Sequence, residues 1–160
     1  MHNLPLAHSK TARFGRQAGI GLLEVLVSVL ILSMGFLGIA ALQAKSLSTN
    51  NSAMTRSMAI IASYSILDAM RADRANALTG AYNQTVTANA CPAAGTLAQN
   101  QLKFWCLYQL APTLGALAST TGTILCAGLN NSCTVTIQFD DSRSGVGGSS
   151  TQQVITSTIL

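Results

Sequence analysis

The sequence predicts an α+β protein, a long N-terminal helix packed on a small antiparallel β-sheet head. Three observations carry that expectation. Residues Ile20 to Leu42 are almost purely apolar, interrupted only by the polar side chains of Glu24, Ser28 and Ser33. Residues 43 to 78 contain neither Pro nor Gly, so nothing breaks a helix that starts in the apolar run. From Thr79 to Leu160 the pattern changes to short runs separated by Gly, Asn and Ser, and all four cysteines lie there.

The first segment, residues 1–19, carries Lys10, Arg13 and Arg16, together with both histidines, His2 and His8. The apolar run 20–42 follows. At about 1.5 Å per residue it covers the roughly 30 Å hydrocarbon core of a bilayer. A carboxylate in such a span is expensive, on the order of 2.5 to 3.5 kcal/mol at its centre. Glu24 therefore asks for a partner. Cutting the chain between Gly19 and Ile20 would create one, because the new amine of Ile20 stands four residues before Glu24 and shares its helix face. The same carboxylate would lie at the positive end of the helix dipole.

This register resembles the class III signal of type IV prepilins and pseudopilins. There a basic leader ends in Gly, an apolar residue opens the mature chain, and Glu stands fifth. Here Gly19 ends the leader, Ile20 opens the mature chain and Glu24 is the fifth residue. Ile replaces the usual Phe, and the leader is long for the family. The resemblance implies cleavage by a prepilin peptidase and N-methylation of Ile20. Two other readings compete: an ordinary signal anchor with Lys45 just beyond its span, and a secretory signal cut after Ala40. The second asks for a 7- to 15-residue apolar region, shorter than this one, and neither accounts for Glu24.

Charge narrows the function. The whole chain is +4, but three of its nine Lys and Arg lie in the leader, leaving six basic against five acidic side chains and a net +1. No basic tract could neutralise a row of phosphates, so nothing argues for a nucleic-acid partner. Both histidines also belong to the leader, so the mature chain has no imidazole for general-base catalysis or metal ligation. The expectation is a structural protein and not an enzyme, with no cofactor, no metal and no small-molecule substrate.

Between 43 and 78 the helix is expected to continue as an amphipathic element. Ile60, Tyr64 and Leu67 share a face, flanked by Met54, Met58 and Ile61. Asp68 and Arg71 form an i,i+3 pair worth a few tenths of about 1 kcal/mol. Gly35 and Gly38, in the apolar half, read as sites of close helix packing. The segment Leu67-Asp68-Ala69-Met70-Arg71-Ala72-Asp73-Arg74-Ala75-Asn76, followed by Gly80 and Tyr82, resembles the end of the first helix in minor pilins of the type IV pilus modification protein PilV family. Those chains carry Met-Arg-Ala-Asn, where this one has Met-Arg-Ala-Asp with Arg-Ala-Asn behind it.

The head, 79–160, should contain one short helix over Leu97–Leu110, ended by Pro112 and crowded by Leu102, Phe104, Trp105, Leu107, Tyr108 and Leu110. A strand is the competing reading of that stretch. Three strands follow: Thr123–Ala127, then Cys133–Phe139 with Val135, Ile137 and Phe139 alternating against Thr134, Thr136 and Gln138, and last the Thr-rich Gln152–Ile159 as an edge. Gly128–Ser132 reads as a turn and Ser142–Ser150 as a Gly/Ser loop. Gly145-Val146-Gly147-Gly148 lacks the following helix that a phosphate cradle needs. The sequon-like Asn83-Gln84-Thr85 and Asn130-Asn131-Ser132 carry little if the source is a bacterium, as the resemblance of the leader implies.

Cys91, Cys106, Cys126 and Cys133 allow three connectivities. Cys126 and Cys133 flank the expected turn and are the nearest option, which leaves Cys91 for Cys106. A zinc site is the alternative, opposed by missing CxxC spacing and missing His. Each disulfide would offset chain entropy by about 2 to 4 kcal/mol in a head with limited core.

The resemblance implies a minor pilin that helps prime or cap type IV pilus assembly. It would be anchored once in the bacterial inner membrane with its head in the periplasm, and could be incorporated into the extracellular pilus. Its partners would be the prepilin peptidase, other minor pilins and the major pilin. The alternatives are a minor pseudopilin of the type II secretion system and a signal-anchored periplasmic protein.

Overall fold

The computed structural model describes residue 19 and residues 21–127, 131–144 and 148–160. Helix α1 spans Leu22–Ala72, 51 residues, with Glu24 in its first turn and Arg71 in its last. The chain divides into two units, one up to Ala40 and one from Ala41 to Leu160. In the first unit every described side chain is exposed, from Leu22 through Ile39. This helix is long and apolar enough to cross a membrane.

The second unit is an α+β head built on the remainder of α1. After α1 come α2 (Arg74–Leu78), β1 (Gln84–Thr87), α3 (Leu97–Trp105), a π turn (Cys106–Leu110) and α4 (Ala111–Leu114). Strands β2 (Thr121–Ala127), β3 (Ser132–Phe139) and β4 (Gln152–Ile159) complete it. The sheet is antiparallel throughout, in the order β1-β2-β3-β4. Buried residues of β1 to β3 alternate along the strands: Val86, Ile124, Cys126, Cys133, Val135, Ile137 and Phe139 form one face of the core.

Several expectations need correction. The expected helix to Leu78 is interrupted at Asp73, whose backbone (φ −119°, ψ 44°) leaves the helical region, and resumes as α2; the Asp73 carboxylate accepts hydrogen bonds from Asn76 Nδ2 (2.8 Å) and Tyr82 OH (3.0 Å). The short α2 then closes on Gly80, whose φ of 86° lets Gly80 N–H bond Ala77 O and Ala81 N–H bond Asn76 O. The face that α1 buries is Ala59, Ala62, Ser63, Ile66, Leu67 and Met70, so Ile60, Ile61 and Tyr64 stay exposed. Small Ala and Ser side chains let the helix backbone come close to the core, which the larger residues would prevent.

In the head helix, Pro112 does not end the helical path. It sits in the opening turn of α4, directly after the wider π turn. A missing N–H costs nothing in a first turn. Phe104, Leu107 and Tyr108 point outward, while Leu102, Trp105 and Leu110 are buried. The structure also adds β1, which pairs with β2 from Gln84↔Ile124 to Thr87↔Thr121, and starts β2 at Thr121 rather than Thr123. Most of the expected turn 128–132 and residues 145–147 of the Gly/Ser loop lie outside the described residues, and Ser142–Ser144 forms a 3-10 turn.

Candidate functional site

The first site feature is local. Gly21 accepts the first helical hydrogen bonds, from Glu24 N–H at 2.9 Å and Val25 N–H at 3.3 Å, so the helix begins immediately after it. Glu24 therefore stands in the first turn, beside backbone N–H groups that have no intrahelical acceptor. Its own carbonyl accepts from Ser28 Oγ at 2.7 Å, and Ser33 Oγ is likewise turned back to Val29 O at 2.7 Å. Both hydroxyls in the apolar run are thus satisfied within the helix, which lowers the cost of placing them in hydrocarbon. The Glu24 carboxylate has no ion-pair partner among the described residues. Among the described residues, none places a heavy atom within 4 Å of the position a Cβ on Gly19 would take. Ile20 lies outside the described residues, as do Lys10, Arg13 and Arg16.

The second feature is the pair of cross-links in the head. Cys91 is bonded to Cys106, with Cα atoms 5.6 Å apart, and Cys126 to Cys133, with Cα atoms 4.0 Å apart. The first ties the segment after β1 to the start of the π turn. The second joins directly opposed residues of β2 and β3. Leu160 N–H bonds Asn131 O, so in β3 the odd-numbered residues bond β4 and the even-numbered ones bond β2. Cys126 and Cys133 therefore form a non-hydrogen-bonded pair, the closer of the two antiparallel spacings. No free cysteine and no cluster of potential metal ligands occur among the described residues.

Two polar links, neither suggested by sequence spacing, tie α1 to the rest of the head, and a third forms within the head itself. Ser52 Oγ donates to Asp141 Oδ2 at 2.5 Å, and Arg56 Nη2 lies 3.5 Å from the same oxygen. Trp105 Nε1–H donates to Ala62 O at 2.8 Å. Tyr82 OH bridges Asp73 and Gln101, and its burial beside the Asp73 carboxylate pushes the phenol well above its ordinary range. The expected Asp68–Arg71 pair forms at 2.5 Å, and Arg71 Nη2 also reaches Thr158 Oγ1 at 3.1 Å. Asp68 is 69% exposed, so that pair adds little. The Asp140-Asp141 doublet before the last loop was the only hint in the sequence of a charged anchor there.

No protein-family model matches the chain, and no curated protein or solved structure matches it.

Proposed function

We propose that this chain is a type IV pilin-like minor subunit. In this reading a prepilin peptidase cuts between Gly19 and Ile20 and methylates the Ile20 amine. The mature chain stays in the bacterial inner membrane through the start of α1, with its head in the periplasm, and joins other minor pilins and the major pilin to prime or cap the pilus. The observation that carries this reading is Glu24. It is the only charged side chain from Leu22 to Leu42, it sits in the first turn of the helix, and the residues around it are exposed and, Ser28 apart, apolar. A monomer in water would leave that surface unsatisfied; a bilayer first and a helical fibre core second would cover it. An amine at position 20, made only by the cut, gives the carboxylate its partner within the chain or on a neighbouring subunit. The all-antiparallel, doubly cross-linked head suits an oxidising compartment.

The test is the intact mass of the protein taken from membranes of its native cell. A mature chain starting at methylated Ile20 is expected, and Gly19→Val should retain the leader. A mature start near Ala40, or an uncleaved native chain, would overturn the reading.

A further inference from the structure

The two cross-links of the head join its four cysteines in chain order, Cys91 to Cys106 and Cys126 to Cys133. The separations they close, 15 and 7 residues, are shorter than any in the two other connectivities. Chain entropy alone favours such short loops by roughly a few-fold. Local structure supplies the remaining bias on both sides. In the first loop Thr96 Oγ1 accepts from Gln99 N–H at 3.3 Å, and Thr96 N–H donates to Gln99 Oε1 at 2.9 Å, a reciprocal cap that starts α3. The Asn100 carboxamide accepts from Gly95 N–H at 3.2 Å and donates to Gly95 O at 3.1 Å. These contacts shape the turn into the helix whose end carries Cys106, and all their partners lie between the two cysteines. In the second loop Cys126 and Cys133 face each other in a hairpin paired from Thr121↔Gln138 to Ala127↔Ser132. A hairpin forms in about 1 to 10 μs and a helical segment faster, whereas a disulfide takes seconds or more. Even a marginal turn or hairpin is therefore sampled many times before its thiols are oxidised.

We propose that the two bonds form independently and in chain order, each inside its own local unit, through a protein dithiol oxidase and without a disulfide isomerase. At each unit one cysteine thiolate attacks the oxidase disulfide. A mixed disulfide forms, and one oxidase thiolate leaves and takes up a proton. The partner cysteine, brought close by the same turn or hairpin, loses its proton and attacks the chain's own sulfur in that mixed disulfide. The second oxidase thiolate then leaves and takes up a proton as well. Two S–H bonds of the head are lost and one S–S bond is gained, while the oxidase departs as a dithiol carrying two electrons and two protons. Each chain thus reduces one oxidase disulfide per bond. The location of the oxidase, and the order in which the pairs meet it, rest on the reading of a head exported behind α1. Cys91 and Cys106 then reach the oxidising side before Cys126. The pairing and its independence rest on the local structure alone.

Oxidative refolding of the full chain in detergent tests the pairing. The reduced chain is given oxidised glutathione, sampled by acid quench, alkylated and digested without reduction. Among one-bond species Cys91–Cys106 and Cys126–Cys133 should outnumber crossed pairs by at least about tenfold, more than loop length alone provides. Crossed pairs at comparable levels overturn the proposal. The double variant Cys126→Ser/Cys133→Ser should close Cys91–Cys106 within about twofold of the wild-type rate, and Cys91→Ser/Cys106→Ser should do the same for the other bond. A larger dependence of either bond on the other overturns independence. In native cells, pulse-labelled chain should gain Cys91–Cys106 before Cys126–Cys133. Loss of the dithiol oxidase should leave both pairs reduced, and loss of the isomerase should change neither pair. The reverse order, wild-type oxidation without the oxidase, or crossed pairs without the isomerase each overturn the proposal. Failure of the exported-head reading looks different: all four thiols would stay reduced in wild-type cells while refolding still gave the two native pairs.

Discussion

The Asn83 carboxamide is paired to the backbone of Cys126 at both ends, Oδ1 accepting from Cys126 N–H at 2.8 Å and Nδ2 donating to Cys126 O at 3.2 Å. Along β2 the even-numbered residues bond toward β1, and Cys126 is the first of them beyond the end of β1 at Gln84. The side chain thus substitutes for one more residue of strand and holds the Cys126–Cys133 corner flat against β1. Asn83→Ala leaves both Cys126 groups without that partner. The expected loss is about 1 kcal/mol, read as a lower urea midpoint with the disulfides intact and an unchanged slope. A midpoint equal to wild type would show that water replaces the amide at no cost.

Trp105 and Gly122 make a second dependence between distant parts of the head. Trp105 is held by its bond to Ala62 O, and a Cβ added at Gly122 would overlap its ring and press on Leu110 Cδ1. Backbone at Gly122 has to approach the indole this closely for the sheet to seat on α1. Gly122→Ala should therefore destabilise the head by about 1 to 3 kcal/mol through overpacking. Denaturation followed by fluorescence of the single tryptophan measures it directly. Trp105→Phe should relieve most of that added cost in the double variant, giving a coupling well outside additivity.

Alkaline pH should act through Tyr82. Its phenol is raised above the ordinary value near 10.0 by burial first and by the hydrogen bond and charge of Asp73 next. In the unfolded chain the group ionises near that ordinary value, whereas in the folded head it stays protonated to higher pH. The folded state consequently binds the proton more tightly. Its contribution is fully present below about pH 10 and is lost as pH rises through the folded value. Tyr82→Phe should flatten this alkaline limb of the stability profile while lowering stability at neutral pH, because Asp73 and Gln101 lose their bridge. An unchanged limb in the variant would assign it to other groups.

What could be read from the sequence was what is local. The apolar run, the alternation of β3 and the Thr-rich, β-branched run of β4 each lie within neighbouring residues, so spacing and composition alone expose them. Strand β1 escaped because four residues, Gln84–Thr87, are too few to display a period, and its pairing with β2 is anchored from outside by Asn83. Pro112 misled because the π turn before it changes which residue opens the next helical segment. The buried face of α1 was misplaced because large apolar residues attract attention, whereas close packing selected Ala59, Ala62 and Ser63. Links such as Asn83–Cys126 and Ser52–Asp141 join residues 43 and 89 positions apart, beyond the reach of any local pattern.

The two disulfides should differ in weight. Cys91–Cys106 closes a 15-residue separation and holds a segment without regular structure, while Cys126–Cys133 closes 7 across strands already paired. Loop-closure entropy gives about 3 kcal/mol for the first and about 2.4 for the second. The double Ser variant at 91 and 106 should accordingly show the lower denaturation midpoint, and mass spectrometry of unreduced digests should recover only the remaining pair in each variant. A larger loss from the 126/133 variant would place the controlling constraint in the β2–β3 corner instead.

Glu24 gives the prediction that separates insertion from assembly. Its carboxylate sits in the first turn of α1 with no ionic partner among the described residues, in surroundings that are apolar apart from Ser28. Glu24→Gln removes the charge with little change in size, so the cost of placing the helix start in hydrocarbon falls and membrane insertion should be retained. Leader removal should also be retained, because the bond between Gly19 and Ile20 does not contain residue 24. Fibre assembly should suffer, since a cationic Ile20 amine would lose its counter-charge in a packed helical core. Breaking a buried pair in this way costs about 3 to 5 kcal/mol where water is excluded, and less where water enters. In a strain that depends on this copy, sheared surface fibres should drop at least about tenfold, the change that 1.4 kcal/mol already produces. Mature protein in the membrane should stay at the wild-type level. Normal fibre yield from Glu24→Gln would reduce Glu24 to a tolerated polar residue and remove the pairing account.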